Sequence, residues 1–172
     1  MPQATVVEAA EIESAKSREE QARSVVGKGM LLSMGGGLIP MPVLDLAGIG
    51  SAQTYMLCRL SDLYAIPYTK HTVRNVIATL MSSVGLPYLA TGAVASLLKS
   101  IPGLGTIGGA LSLPIVAGAS AYALGKVFIK HFECGGTLLD FDPKSTRRYF
   151  AEQFAEGKTV AAELKQKERD KQ

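Results

Sequence analysis

The fold of this chain is decided by NVIATLMSSVGLPYLATGAVASLL, residues 75–98, and by SIPGLGTIGGALSLPIVAGASAYALG, residues 100–125. Neither stretch contains Asp, Glu, Lys or Arg, and only Lys99 separates them. As helices rising about 1.5 Å per residue, both reach at least about 36 Å, enough for a hydrocarbon core of about 30 Å. Basic residues precede the first stretch and follow the second, so the positive-inside rule indicates a two-pass hairpin with both ends cytoplasmic.

The composition of these stretches leaves a second interpretation open. They are rich in small residues rather than in Leu, Ile and Phe, which makes insertion into a bilayer marginal. Small residues recur at four-residue spacing in 92–96, 105–109 and 117–125, where helices pack closely in membranes and in soluble bundles alike. We expect the apolar middle to lie in or on a membrane, with a soluble bundle as the alternative. The stretch 29–57, charged only at Asp45, is expected to form a shallow re-entrant or packed hairpin.

Charge is concentrated at the two ends of the chain. Residues 1–27 hold five acids and three bases, and residues 143–172 hold eight bases and five acids. Acids and bases are interleaved there, which is unlike a nucleic-acid-binding arm, so no nucleic-acid partner is expected. The polar start is unlike a secretory signal, and Cys58 and Cys134 stand far apart; we expect reduced thiols and cytoplasmic termini.

The positions of the helix-breaking glycines and prolines predict an all-α fold of helical hairpins, with kinked apolar helices and amphipathic helices at both termini. Thr69 and Asp142 are suited to cap helices, Pro42 and Pro143 to begin them, and Gly135 to end one. The predicted helices cover residues 4–26, 43–64, 69–99, from beyond 103 to about 132, and 143 to about 165. We expect kinks at Pro87 and Pro114, and frayed or disordered residues from 165 to 172. We divide the chain into a polar N-terminal helix (1–27), an apolar core domain of two hairpins (28–142) and an amphipathic C-terminal helix with its tail (143–172).

The motifs that imitate nucleotide-binding sites lack the necessary context. The run 103–108 matches G-x-G-x-x-G, but no strand precedes it and no acidic residue follows about twenty positions later, so helix packing explains it better. The run 157–159 reads Gly-Lys-Thr, but Glu152 stands where a phosphate-binding loop requires glycine. His71 and His131 are too few for a metal site and are expected at helix ends or a membrane interface. No catalytic residue, cofactor or metal is therefore predicted, and the chain is not expected to be an enzyme.

Asp45 is the ionisable residue that most requires an explanation. In lipid an unpaired carboxylate is costly, so we expect Asp45 to interact with the free N–H groups at the start of a helix. A ligand or transport role is the alternative. The predicted structural and interaction residues are the helix breakers and close-packing positions of the apolar core: Pro40, Pro42, Asp45, Pro102, Gly103, Gly105 and Gly109.

Several blocks of the chain resemble a bacterial family of unknown function, domain-of-unknown-function family 697. The blocks are Ile39–Leu46, Arg59–Tyr64, Lys99–Thr106, and Ala123–Phe132 with the Gly135–Thr137 turn, which together span about residues 28–142. The resemblance implies membrane association and a neighbouring GTPase or ATPase. It implies no activity, and no residue of this chain is inferred from it to be catalytic.

These observations predict a non-enzymatic, membrane-associated helical module that anchors, scaffolds or regulates a partner, with a GTPase as the partner that the resemblance implies. The expected partners are membrane lipid, that GTPase and further copies of the chain. The expected location is the bacterial inner membrane or its cytoplasmic face. The alternatives are a soluble self-associating scaffold and, more weakly, an ion or small-molecule pathway around Asp45.

Overall fold

The computed structural model describes residues 3–36, 42–90 and 108–170, and within these ranges the chain is helical with no strand. The all-α prediction is confirmed. The helices are α1 (Gln3–Gly36), α2 (Pro42–Leu63), α3 (Lys70–Ala90), α4 (Gly108–Glu133) and α5 (Pro143–Arg169).

Most of the predicted helix ends are confirmed by their local chemistry. Pro42 is the first residue of α2. Thr69 Oγ1 accepts a hydrogen bond of 3.1 Å from the N–H three residues later, which caps α3. The Asp142 carboxylate accepts from the N–H groups two and three residues later, at 2.9 and 3.3 Å, and caps α5. Gly135 adopts φ of +80°, the left-handed conformation that commonly ends a helix.

Two helices are longer than predicted. α1 continues through Gly27 to Gly36, because its buried face continues on both sides of Gly27 through Val26 and Met30. Burial of that face offsets the helix cost of glycine, which is about 1 kcal/mol. α5 continues past residue 165 to Arg169, so the predicted fraying there is wrong. The division at residues 27 and 142 stays a prediction, although the first boundary falls inside a continuous helix.

α4 lies at the centre of the bundle and packs against α1, α2 and α5, whereas α3 packs on α2 and α5. The buried core reflects this arrangement. Its largest fully buried side chains include Phe128 and Leu124 of α4, Met30 of α1, Met56 of α2 and Leu80 of α3. One apolar core therefore joins all of the described helices except the ends that project from it.

α1 runs antiparallel to α4. A Cβ added to Gly125 would overlap the Val26 side chain, and a Cβ added to Gly118 would lie 2.8 Å from Met34 Cγ. Val26 thus lies beside Gly125, whereas Met34, which comes later in α1, lies beside Gly118, which comes earlier in α4. Both glycines allow the two backbones to approach closely.

α2 runs parallel to α4. Gln53 Nε2 donates a hydrogen bond of 2.7 Å to Ser120 Oγ, and the Tyr64 hydroxyl, just after α2, donates one of 3.1 Å to Glu133 Oε1. α1 is consequently antiparallel to α2. The short link 64–69 then returns the chain so that α3 packs back on α2.

α5 runs antiparallel to α4. Lys130 Nζ lies 4.4 Å from the centre of the Tyr149 ring, and the Tyr122 hydroxyl donates a hydrogen bond of 2.7 Å to Glu156. The start of α5 thus lies beside the end of α4. Burial and the Glu156 carboxylate raise the pKa of Tyr122 to about 12.

These directions give the bundle two distinct ends. At the end we call the apolar end lie the last turns of α1 and α3 and the first turns of α2 and α4. At the opposite end, the aromatic end, lie the last turns of α2 and α4 and the link 134–142 to α5.

α1 projects beyond the aromatic end. Val26 is level with Gly125, and α4 ends eight residues after Gly125, so its end is level with about residue 18 of α1. About fifteen residues of α1, or about 22 Å of helix, therefore extend past α4. We call residues 3–17 the α1 overhang. The side chains of residues 11–17 are all exposed.

The predicted membrane-crossing hairpin is not seen. In residues 3–36, 42–90 and 108–170, no helix is both long enough and apolar enough to cross a bilayer. Residues 91–107, which include much of the predicted hairpin, lie outside the described part of the chain.

Candidate functional site

The sequence-predicted site residues that the structure describes all lie at the apolar end. Pro42 begins α2, Asp45 lies in the first turn of that helix, and Gly109 is the second residue of α4. The remaining four, Pro40, Pro102, Gly103 and Gly105, lie outside the described residues. The capping role of Asp45 stays a prediction.

The uncharged segments of four helices converge on the apolar end. They are residues 29–36 of α1, 75–90 of α3 and 108–125 of α4, together with residues 42–58 of α2, which are charged only at Asp45. Because α1 and α3 end where α2 and α4 begin, these segments lie side by side rather than along one helix.

Large apolar side chains are exposed on the apolar half of α1 and α2. Leu31 is 44 % exposed, Leu32 is 52 % exposed and Tyr55 is 55 % exposed. The contact between Gly29 and Met56 places all three at the same level of the bundle. Exposed leucines close to one another are characteristic of surfaces that contact a partner or a membrane.

The last third of α5 adds a basic rim beside this end. α5 is antiparallel to α4, so its C-terminal residues return toward the start of α4. Residues 161–169, which form the last third of α5, hold three bases and two acids. A weakly basic segment at the same end of the bundle as exposed leucines suits an anionic lipid surface.

The aromatic end is built around a ring cluster. Phe128 and Phe141 have ring centres 4.6 Å apart, Phe128 and Phe132 are 5.6 Å apart, and Tyr64 lies 5.7 Å from Phe132. His131 contacts the Phe141 ring edge to face at 5.3 Å. The cluster fixes the ends of α2 and α4 and the link between α4 and α5.

His131 lies at the end of α4 and forms hydrogen bonds within the turn that follows. A helix-end position was one of the two predicted for it. Its Nε2 donates to the Thr137 carbonyl at 2.8 Å and to Asp140 Oδ1 at 3.3 Å; both atoms accept, so Nε2 carries the proton. Asp140 Oδ1 also accepts from the Thr137 N–H and hydroxyl, at 2.6 and 2.9 Å. These two bonds from Thr137, with a smaller contribution from the His131 charge, lower the pKa of Asp140.

A pocket of about 430 Å³ lies between the α1 overhang and the ring cluster. Its lining is part apolar and part charged: Ile12, Ala15, Lys16, Arg18, Glu19, Tyr64, Phe132 and Glu133. Both carboxylates are occupied, since Glu19 pairs with Arg23 and Glu133 accepts from Tyr64. Among the residues that the structure describes, the two lining cations at 16 and 18 form no ion pair.

The described residues contain no group of three metal-ligating side chains. Cys58 is buried and Cys134 is exposed, and both are free thiols.

Comparison with known proteins places the chain in a family. The sequence profile described as a domain of unknown function, DUF697, matches residues 1–157. The chain belongs to the DUF697 family. The DUF697 match is wider than the predicted span of 28–142, because it also takes in residues 1–27 and the first half of α5.

Most of the chain is similar to a curated membrane protein. Magnetosome membrane protein 22 of Magnetospirillum gryphiswaldense is 38 % identical over 149 residues, which cover 86 % of this chain and 76 % of that protein. No solved structure matches the chain.

Proposed function

We propose that this DUF697 protein is a non-enzymatic, membrane-associated helical module that docks on the lipid surface through its apolar end and leaves its aromatic end available to a partner. The observation that carries the proposal is the position of Leu31 and Leu32: two exposed leucines lie on the half of the bundle where the uncharged helix segments converge.

The energetics favour shallow docking. Moving a leucine side chain from water to an apolar environment contributes about 1.5–3 kcal/mol, so two leucines supply a large part of a membrane affinity. Basic residues near an anionic surface add about 1 kcal/mol each, and the C-terminal third of α5 supplies an excess of them. The name of the relative in Magnetospirillum, a magnetosome membrane protein, supports the same location.

Vesicle flotation with the full chain tests this proposal. Vesicles that contain phosphatidylglycerol should carry the protein upward, and the substitution Leu31→Lys/Leu32→Lys should lower the bound fraction at least fivefold. Both leucines are exposed, so the double variant is expected to fold; circular dichroism checks this.

Leu139 provides the matched control, because it is 87 % exposed but lies at the aromatic end. Leu139→Lys should leave vesicle binding unchanged. Equal loss of binding in this control, or a wild-type chain that does not float, would contradict the proposal.

We propose a GTPase as the partner class on the basis of the family resemblance alone. Co-purification of the full chain with a GTPase encoded beside it is the test. If no complex forms with that GTPase while vesicle binding persists, the GTPase proposal is wrong and the proposed membrane role is unaffected.

A further inference from the structure

The large apolar side chains exposed on the apolar half of α1 and α2 each lie one helical turn from a cation. Lys28 precedes Leu31 and Leu32 by three and four residues, so at about 3.6 residues per turn its side chain points between theirs. On α2, which runs the other way, Arg59 follows Tyr55 by four residues. Lys28 and Arg59 are both exposed, and both lie on the side of these residues that is nearer the aromatic end.

The two cations lie at nearly the same level of the bundle. The contact between Gly29 and Met56 sets Lys28 level with about residue 57 of α2. Arg59 is two residues further along, or about 3 Å by helix rise. The arrangement of a cation beside an exposed apolar side chain is therefore repeated, in register, on two neighbouring helices.

Arg74 extends this arrangement to α3. It lines a cleft of about 400 Å³ between α2 and α3, in which the other side chains are small or apolar: Gly50, Ser51, Thr54, Ile77 and Ala78. Arg74 is the earliest α3 residue of the cleft, and α3 ends at the apolar end, so the guanidinium lies on the side nearer the aromatic end. The order along the bundle is the same as on α1 and α2.

The surface on the apolar side of these cations carries almost no charge. Residues 29–36 of α1, 42–57 of α2 and 75–90 of α3 contain Asp45 as their single ionisable side chain. Three helices therefore present an uncharged surface bordered by one cation each.

We propose that Lys28, Arg59 and Arg74 form a headgroup band, which binds the phosphates of anionic phospholipids while the apolar side chains beside it enter the bilayer. The inference rests on the proposed membrane role, and it adds which side of the bundle faces the lipid: the side formed by α1, α2 and α3. The polar headgroup layer borders the hydrocarbon of a bilayer, so a long cationic side chain one turn, or about 5.4 Å, from an inserted leucine reaches that layer.

The charges of the headgroup band are not neutralised by strong ion pairs. Within the part of the chain that the structure describes, Lys28 and Arg74 form no ion pair. Arg59 lies 3.9 Å from Asp62 with 57 % of its side chain exposed, and such a surface pair contributes little. An anionic phosphate layer is the surface that complements these cations.

Removing the charges of the headgroup band tests the proposal. Lys28→Gln/Arg59→Gln/Arg74→Gln should lower the affinity of the full chain for phosphatidylglycerol vesicles at least tenfold and remove most of the dependence of that affinity on salt. The weaker affinity for pure phosphatidylcholine vesicles should not change, because the leucine contact does not depend on charge. The charge-preserving variant Lys28→Arg/Arg59→Lys/Arg74→Lys should bind both kinds of vesicle like the wild-type chain.

The matched control is Lys144→Gln/Arg147→Gln/Arg148→Gln, which removes three exposed cations from the start of α5, at the aromatic end. This control should keep the wild-type affinity for phosphatidylglycerol vesicles, and circular dichroism checks that both triple variants fold. Equal loss of affinity in the two triple variants would mean that net charge rather than the headgroup band attracts the lipid, and would overturn the proposal.

The failure of the headgroup band can be distinguished from the failure of the membrane role. If the band variant binds phosphatidylglycerol vesicles as tightly as the wild-type chain, while Leu31→Lys/Leu32→Lys does not bind, the band is wrong and docking through the leucines stands. A wild-type chain that binds neither kind of vesicle would overturn both.

Discussion

Val26 of α1 and Gly125 of α4 meet so closely that a β-carbon added to the glycine would overlap the valine side chain. Val26 is only 4 % exposed, so it cannot turn away into solvent. Gly125 was one of the small residues whose four-residue spacing predicted close helix packing. The contact explains why α4 carries small residues along the face toward α1.

Gly125→Ala is expected to lower the free energy of unfolding by about 1–3 kcal/mol, the usual cost of overpacking a core. Gly27→Ala is the matched control, since a β-carbon there meets nothing within 4 Å and residue 27 lies inside α1. That change should raise stability by about 0.5–1 kcal/mol, because alanine favours a helix. Urea titration measures both, and a similar response to the two substitutions would refute the close contact.

Ser33 is a core position at which a substitution should stabilise the protein rather than destabilise it. Its hydroxyl is fully buried and has no hydrogen-bond partner within residues 3–36, 42–90 and 108–170. An unsatisfied buried polar group costs about 1–3 kcal/mol, so Ser33→Ala should stabilise the protein, by about 1 kcal/mol after the small loss of packing. If the variant instead unfolds at a lower temperature than the wild-type chain, the Ser33 hydroxyl stabilises the core and the prediction is wrong.

The turn closed by Asp140 should make stability dependent on acid. Hydrogen bonds from Thr137 hold the pKa of Asp140 below its ordinary value of 3.8. The stabilisation is therefore complete above about pH 3.8 and is lost as the pH falls through the lower folded-state pKa. Asp140→Ala should unfold at a lower temperature than the wild-type chain at pH 7, and the difference should shrink below pH 3.8.

Asp170→Ala, at an exposed aspartate beyond the end of α5, serves as the control and should show no difference at either pH. A gap between Asp140→Ala and the wild-type chain that persists unchanged into strong acid would mean that the carboxylate charge is not what stabilises the turn.

The helix boundaries were largely predictable because they depend on local chemistry. Thr69, Asp142 and Gly135 act through hydrogen bonds and backbone angles within a few residues of themselves. The continuation of α1 through Gly27 was not predictable, since it depends on contacts with α2 and α4 that no local pattern reveals.

The functional surfaces were less predictable than the helices. The convergence of four uncharged segments on one end follows from helix directions, which are set by contacts such as Gln53 with Ser120. The exposure of Leu31 and Leu32 has no sequence signal, because apolar residues in a helix are usually buried.

The membrane role of the apolar end is tested most directly by a polarity-sensitive fluorophore placed at each end of the bundle. In a Cys58→Ala background, NBD is attached at Leu32→Cys (with Cys134→Ser) or at the natural Cys134, and phosphatidylglycerol vesicles are added. We predict a blue shift and a several-fold rise in emission at position 32 and little change at Cys134. No change at position 32, or a larger change at Cys134, would contradict docking through the apolar end.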